Sequence, residues 1–135
     1  MHKDEKAIRA VVATLIRGLE TNDLSLIETV YSHDPELLVF LEGPKMKLVG
    51  WEAMRKGMSN FLRDHKKIQS QLNDDCRYVI SNEVGFFYGT FRFRAVNKKT
   101  GKALRFVARN TFIFRKIRGQ WRVIHEHDSF PSPTP

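Results

Sequence analysis

Apolar residues in the first part of the chain recur at the spacing of helices. From Ile8 to Leu19 they fall at i, i+3, i+4 and i+7, which predicts one amphipathic helix with Asp4 as its N-cap. A second, short helix is predicted to begin after Asp23 and to stop before Pro35, because the residue that precedes a proline avoids the helical conformation.

One short apolar segment separates these helices from the next helical pattern. The run of residues 37–41 predicts a strand that Gly43 and Pro44 end. A third helix is predicted over residues 51–64, and Tyr31 is expected either near the mouth of a cavity or in a loop. The apolar face of this third helix contains Trp51, Met54, Met58, Phe61 and Leu62.

The rest of the chain follows the period-two alternation of β-strands. It predicts four strands over residues 67–80, 83–96, 102–116 and 120–128. Helices first and long strands last favour an α+β domain. Because such long strands must bend to cover the helices, we expect a cone-shaped, strongly curved antiparallel sheet wrapped around three N-terminal helices. A cone that is only partly closed contains a cavity suited to a small molecule.

The length and composition fit one globular domain. The chain has 135 residues, 41% of them hydrophobic and 28% charged. We predict a single domain over residues 1–128 and a loose, proline-punctuated tail over residues 129–135. The charged N-terminal residues and the lack of a long apolar run predict a cytoplasmic protein that does not enter the membrane. Cys76 is the only cysteine, so an intrachain disulfide is excluded, and we expect a half-buried strand residue.

A net charge of +8 raises the question of an anionic partner. The basic residues are scattered along the chain and no recognition-helix signature accompanies them, so nucleic acid binding is not expected. Most of these side chains are predicted to be solvated surface.

The last strand holds the candidate chemistry. Strict alternation would place His125 and His127 on the same face as Trp121, and Glu126 and Asp128 on the other face. The histidines could act as general bases, could bind a metal with Asp128 or Glu126, or could be structural residues that hydrogen-bond across the sheet or at a subunit interface. The third alternative is the simplest, and neither a metal nor a cofactor is expected. The catalytic candidates are His125, His127 and Asp128.

The register of the last hairpin decides what faces the histidines. Either Phe112 pairs with His125 and Asn110 lies beside His127, or Thr111 meets His125 after a slip of one residue. We prefer the first register because it gives the preceding strand one apolar face. The predicted ligand would be apolar or amphipathic, and its binding would change as the histidines titrate near pH ~6.5. The predicted ligand-binding residues are Phe40, Trp51, Met54, Met58, Phe61, Tyr88, Thr90, Asn110, Phe112, Trp121, His125 and His127.

The strand over residues 83–96 is apolar on both faces. The helices can cover only one face, so a second subunit is expected to cover the other and to form a homodimer. Phe91 and Phe93 are predicted at that interface, where a buried charge would be costly.

Two motifs carry a resemblance to a known family. The segment GWEAMR at residues 50–55 and the segment GQWRVIHEHDS at residues 119–129 resemble the nuclear transport factor 2-like superfamily, in particular its SnoaL-like branch. The second motif is also similar to the ending of the association domain of calcium/calmodulin-dependent protein kinase type II. The resemblance covers the chain from about Lys6 to Pro131 and implies the same cone-shaped, cystatin-like fold.

The functional residues of that family match this chain less well. Steroid isomerases of this fold use a tyrosine at a position that falls near Leu15, so their set is not reproduced here. Polyketide cyclases of the SnoaL type imply an acidic residue in the pocket, for which Glu42, Glu126 and Asp128 are candidates. The pocket arginines of the kinase association domain correspond to Thr90 and Phe112.

Three functions therefore remain open. The first is a dimeric small-molecule-binding domain. The second is an isomerase, cyclase or dehydratase that transfers a proton on an apolar substrate. The third is a non-catalytic assembly domain, since one fold can host all three.

Overall fold

The computed structural model describes residues 2–41 and 45–131. Three helices precede most of a mixed sheet, which confirms the α+β prediction. The sheet order is β2-β1-β7-β6-β5-β3, with β4 also paired to β5, and only the β1–β7 pairing is parallel. The elements are α1 (Lys3–Glu20), α2 (Leu24–Glu28), β1 (Leu38–Phe40), β2 (Leu48–Val49), α3 (Trp51–Asp64), β3 (His65–Leu72), β4 (Arg77–Ser81), β5 (Val84–Asn97), β6 (Ala103–Ile117) and β7 (Gln120–Ser129).

Helix α1 is capped by a different residue from the one predicted. His2 is the N-cap, and its Nδ1 accepts a hydrogen bond from the Asp4 backbone N–H at 3.1 Å. Asp4 instead accepts hydrogen bonds from Trp121 Nε1 at 3.1 Å and from Lys116 Nζ at 3.3 Å, so it ties the helix to the last hairpin. The Trp121 indole N–H is the main cause of the lowered pKa of Asp4.

One edge strand replaces another along β5. The single strand predicted over residues 67–80 is in fact β3 and β4, which pair with opposite halves of β5. In the connection between them, Asp75 accepts hydrogen bonds from the Thr90 backbone N–H at 2.9 Å and the Thr90 hydroxyl at 2.7 Å. Cys76 is half-buried and occupies the space beside Gly89, where an added Cβ would lie 2.6 Å from Cys76 Sγ.

Strand β7 contains a β-bulge that strict alternation does not predict. Phe114 pairs with Val123 while Ile113 pairs with His125, so Ile124 is an extra residue. Phe112 consequently pairs with Glu126, and both registers considered from the sequence are wrong. Past the bulge, the residues that face the helices are Glu126 and Asp128, and the histidines face outward.

The residues that follow Asp128 are part of the fold as far as Phe130. Ser129 is the last residue of β7 rather than the first residue of a tail. Arg109 donates a hydrogen bond from Nη2 to the Phe130 carbonyl at 2.7 Å, and the Phe130 and Phe106 rings lie 4.6 Å apart. Two sequence predictions, the strand end at Gly43-Pro44 and the candidate acid Glu42, fall outside the described residues.

Among the described residues, no helix combines the length and hydrophobicity needed to cross a membrane. A cytoplasmic location stays a prediction.

Candidate functional site

A cavity of about 480 Å³ lies between the helices and the concave face of the sheet. Its size is in the range of small-molecule sites. Apolar side chains form almost all of its wall, and its few polar groups are Tyr31, Ser70, Asn110, Glu126 and Asp128. The apolar lining comes from Val12, Leu15, Ile16, Leu19, Leu41, Leu48, Met54, Met58, Phe61, Leu72, Phe91, Phe93, Leu104, Phe106, Phe112 and Phe130.

The structure brings part of the predicted set to this cavity. Met54, Met58 and Phe61 reach it from α3 because they share one face of that helix. Asn110 and Phe112 reach it from β6, and Asp128 is the one catalytic candidate that lines it. Whether these residues bind a ligand stays a prediction.

Seven predicted residues lie elsewhere. Trp51 packs in the core against His33, with ring centroids 4.6 Å apart, and Trp121 is held by Asp4. Tyr88 and Thr90 pair with Thr111 and Arg109 on the outer face of the sheet. The remaining three are Phe40, His125 and His127.

The two histidines and Phe40 form a cluster on the outer face. The Phe40 ring makes edge contacts with both imidazoles at 5.3 Å. His125 Nδ1 lies 2.8 Å from the Leu38 carbonyl oxygen, a hydrogen bond between neighbouring strands. This is the geometry of structural histidines that bond across the sheet, and it separates them from the cavity by the thickness of the sheet.

Phe91 and Phe93 also change faces relative to the prediction. Both line the cavity, whereas they were expected at a subunit interface. Phe86 and Tyr88 occupy the outer face of the same strand and are 40% and 46% exposed. The two faces of β5 were assigned in reverse.

The polar end of the cavity is a continuous hydrogen-bonded network. The Tyr31 hydroxyl donates to Glu126 Oε1 at 2.7 Å, and the Asn110 side-chain amide donates to Asp128 Oδ1. The Glu126 and Asp128 carboxyls line the same end of the cavity, and each shifts the pKa of the other. Two carboxyl groups form a hydrogen bond with each other only if one of them carries a proton.

Burial determines where that proton resides. Glu126 is 6% exposed, and its removal from water, together with the neighbouring Asp128 charge, raises its pKa well above the usual range. Burial also raises the pKa of Asp128, against the opposing hydrogen bonds from Glu126 and Asn110. Because the pKa of Glu126 is raised the further, a proton shared by the pair resides on Glu126, which then donates a hydrogen bond to Asp128. Burial and the nearby Glu126 likewise raise the pKa of Tyr31, which stays a neutral donor.

A metal site made of the predicted ligands is not assembled. His125 and His127 lie on one side of the sheet and Glu126 and Asp128 on the other. Within residues 2–41 and 45–131, no three His, Cys, Asp or Glu side chains are arranged to hold a metal ion.

Sequence reasoning identified the members of the network unequally. Tyr31 is fully buried in the network and lies neither at the cavity mouth nor in an open loop. Glu126 was a candidate acid of the pocket only through the family resemblance, and otherwise a possible metal ligand. The spacing of Glu126 and Asp128 was the available signal, because residues two apart in a strand share a face wherever that face points.

Comparisons with known proteins agree on the fold. The chain superposes on a nuclear transport factor 2-like superfamily protein from Salmonella enterica with a TM-score of 0.86 and 18% identity, covering 97% of this chain and 93% of that one. A ketosteroid isomerase-like protein from Erwinia carotovora has a TM-score of 0.80 and 17% identity, with coverages of 98% and 100%. A Xanthomonas campestris protein, provisionally named a calcium/calmodulin-dependent protein kinase II association domain, has a TM-score of 0.78 and 20% identity, with coverages of 94% and 87%.

At these identities the likeness establishes the fold alone. No curated protein matches the chain in sequence. The family model described as a SnoaL-like domain matches residues 8–133, which is nearly the whole chain. The chain therefore belongs to the SnoaL-like domain family, on the fold of nuclear transport factor 2-like proteins.

Proposed function

We propose that this protein is a small-molecule-binding domain whose ligand occupies the cavity and is oriented by the Glu126–Asp128 pair. The observation that carries the proposal is the burial of two hydrogen-bonded carboxyls at the end of an otherwise apolar cavity. Burying ionisable groups destabilises a fold. If these two positions served only for packing, apolar side chains would stabilise the protein more.

The experiment measures binding with and without an open cavity. A panel of neutral steroids and polyketide-like aromatics is screened by thermal shift, and any hit is measured by calorimetry. Gly57 lines the cavity from α3, and a Cβ added there would meet only Leu48 Cδ1, at 3.5 Å. We expect Gly57→Phe to fill the cavity and to weaken binding at least about tenfold, and Gly57→Ala to bind like the wild type.

Two results would contradict this function. The first is a panel in which no member raises the melting temperature. The second is a hit that Gly57→Phe binds as tightly as the wild type does, because such a ligand would lie outside the cavity.

Proton transfer is the second candidate function. It is favoured by the fact that both members of a proton-sharing carboxyl pair line the cavity, where a bound molecule would contact them. Glu126 could donate a proton and Asp128 could accept one. The solved Erwinia protein named ketosteroid isomerase-like suggests ketones as the first substrates to try.

This second function is tested by isotope exchange. Ketones from the panel are incubated in deuterium oxide, and deuterium at the carbon next to the carbonyl is followed by NMR. We expect Glu126→Gln and Asp128→Asn each to slow exchange by a factor of about 100 or more, within the range of general acid-base catalysis. If a ketone binds in the cavity and exchanges no faster than in buffer, binding is the whole function.

We also propose that the protein is a homodimer that pairs through the outer face of the sheet. Its support is the row of exposed apolar residues Val79, Val84, Phe86 and Tyr88, and the Phe86 and Tyr88 rings are stacked at 6.1 Å. The name of the Xanthomonas protein, an association domain, fits this proposal.

Sedimentation at micromolar concentration tests the dimer. Phe86→Asp should give a folded monomer, because a charge would be buried without a partner in the interface. Met46→Asp is the control, since Met46 is 86% exposed and belongs to a loop away from this row. A monomeric wild type would refute the proposal.

A further inference from the structure

The charge of the cavity is opposite to that of the whole protein. The chain has a net charge of +8, yet none of the described residues that line the cavity is lysine, arginine or histidine. Among the residues that the structure describes, the only ionisable side chains in the lining are Tyr31, Glu126 and Asp128. Within this described lining a ligand therefore meets carboxyl groups and no cation.

Beside the two carboxyls, the hydrogen-bonding capacity that remains is mainly that of an acceptor. The Tyr31 hydroxyl is used on Glu126, the Glu126 proton is used on Asp128, and the Asn110 amide donates to Asp128. A carboxylate has about four lone-pair positions, and Asp128 fills two of them within the network. A ligand group that donates hydrogen bonds is matched to the two carboxyls, whereas a carbonyl or carboxylate would have to use the second N–H of Asn110 or the Ser70 hydroxyl, or displace Glu126 from Asp128.

No basic residue of the described cavity lining compensates a charge on the pair. When Glu126 is protonated and Asp128 is ionised, the pair carries one negative charge against an apolar wall. A buried charge is costly until it meets an opposite one, so a ligand cation would gain more here than a neutral donor.

The walls suit the rest of such a ligand. Six phenylalanines line the cavity, and aromatic faces attract both flat apolar rings and cations. The six are Phe61, Phe91, Phe93, Phe106, Phe112 and Phe130.

From these observations we infer that the cavity selects an aromatic amine, with its ammonium group hydrogen-bonded to Asp128 and its ring among the phenylalanines. The inference rests on the proposed binding function and names the chemical class of the ligand. The surface charge of the protein works against this preference, because a cationic surface attracts anions. A preference for an amine would therefore come from the cavity and not from the surface charge.

The test uses three ligands that share one ring system and differ only in the polar group. They are 2-naphthylmethylamine, 2-naphthalenemethanol and 2-naphthoate, with binding measured by calorimetry at pH 7. We expect the amine to bind at least about tenfold more tightly than the alcohol, and the carboxylate to bind most weakly.

Two variants locate the charge that is responsible. Asp128→Asn should weaken amine binding at least about tenfold and alter alcohol binding less than about threefold. Asp74→Asn removes an exposed acid outside the cavity and should have no effect.

The outcomes separate this inference from the function on which it rests. If the alcohol or the carboxylate binds as tightly as the amine, the inference is wrong and the binding function stands. If amine binding survives Asp128→Asn, the inference is also wrong. If none of the three ligands binds, both fall. The ranking of the three ligands on the wild-type protein decides the question even if Asp128→Asn does not fold.

Discussion

Replacing Glu126 by glutamine should remove part of the pH dependence of stability. In the folded protein Glu126 keeps its proton because burial and the Asp128 charge raise its pKa above the usual value of 4.5. In the unfolded chain the same group loses its proton above about that pH. Folding therefore takes up a proton, and the free energy of unfolding falls as the pH rises. The glutamine amide has no such proton and removes this dependence.

The size of the effect follows from the number of protons. One proton held by the folded state alone lowers the free energy of unfolding by about 1.4 kcal/mol per pH unit. Between pH 4.5 and the raised pKa of Glu126, the free energy of unfolding of Glu126→Gln should therefore rise relative to that of the wild type. The difference should grow by up to about 1.4 kcal/mol per pH unit, or up to about 2.7 kcal/mol over two units. The groups that face Glu126 are Tyr31, Asn110 and Asp128, and no basic side chain among the described lining residues offsets this slope.

Urea unfolding at pH 5, 6 and 7 measures the difference. Glu126→Gln preserves the shape of the side chain and an acceptor for the Tyr31 hydroxyl, so it should fold. The control is Glu36→Gln, which removes one exposed carboxyl outside the cavity. If the free energy of unfolding depends on pH equally in the wild type and in Glu126→Gln across this range, Glu126 is not protonated in the folded protein.

Three further substitutions test the packing around the site. Tyr31→Phe should lower the free energy of unfolding by about 1–3 kcal/mol, because it leaves a buried carboxyl without its donor, and Tyr78→Phe, at a half-buried ring, should cost less in the same urea titration. Gly57→Ala should raise the melting temperature, since alanine favours a helix by about 0.5–1 kcal/mol over glycine and the added carbon has room. Gly89→Ala should lower stability by about 1–3 kcal/mol because its Cβ would lie 2.6 Å from Cys76 Sγ, and a variant as stable as the wild type would show that the sheet relaxes there.

The helices and the long strands could be predicted because their signals are local. The predicted third helix coincides with α3, which follows Gly50 at a φ of 84° and ends where the chain extends at His65. Strands β5, β6 and β7 begin and end within one residue of the predicted bounds, since turn residues mark their ends. The break between β3 and β4 was not visible, because it depends on two edge strands sharing the length of β5.

The cavity could be predicted on elements with one apolar face, but not on β5, which is apolar on both faces, nor past the bulge in β7. The α3 residues and the β6 residues Asn110 and Phe112 were assigned to it because helical and strand periods run undisturbed through both elements. The assignment for β7 was correct in relative terms, since the histidines share one face and the acids share the other. It was wrong in absolute terms because the extra residue Ile124 reverses which of these two sets faces the cavity. The hydrophobic pattern of the sequence contains no signal for this bulge.

That reversal changes which chemistry the cavity can support. Histidines facing inward would have made binding respond to a single imidazole titration near pH ~6.5. The groups that face inward are instead two carboxyls that share a proton, so their first ionisation leaves a charge that opposes the second. As the pH rises past the point at which Glu126 loses its proton, Tyr31 and Asn110 are the remaining donors to two charges, and an apolar wall cannot solvate them. A ligand that brings its own positive charge is the component that would let both carboxyls ionise without unfolding the cone.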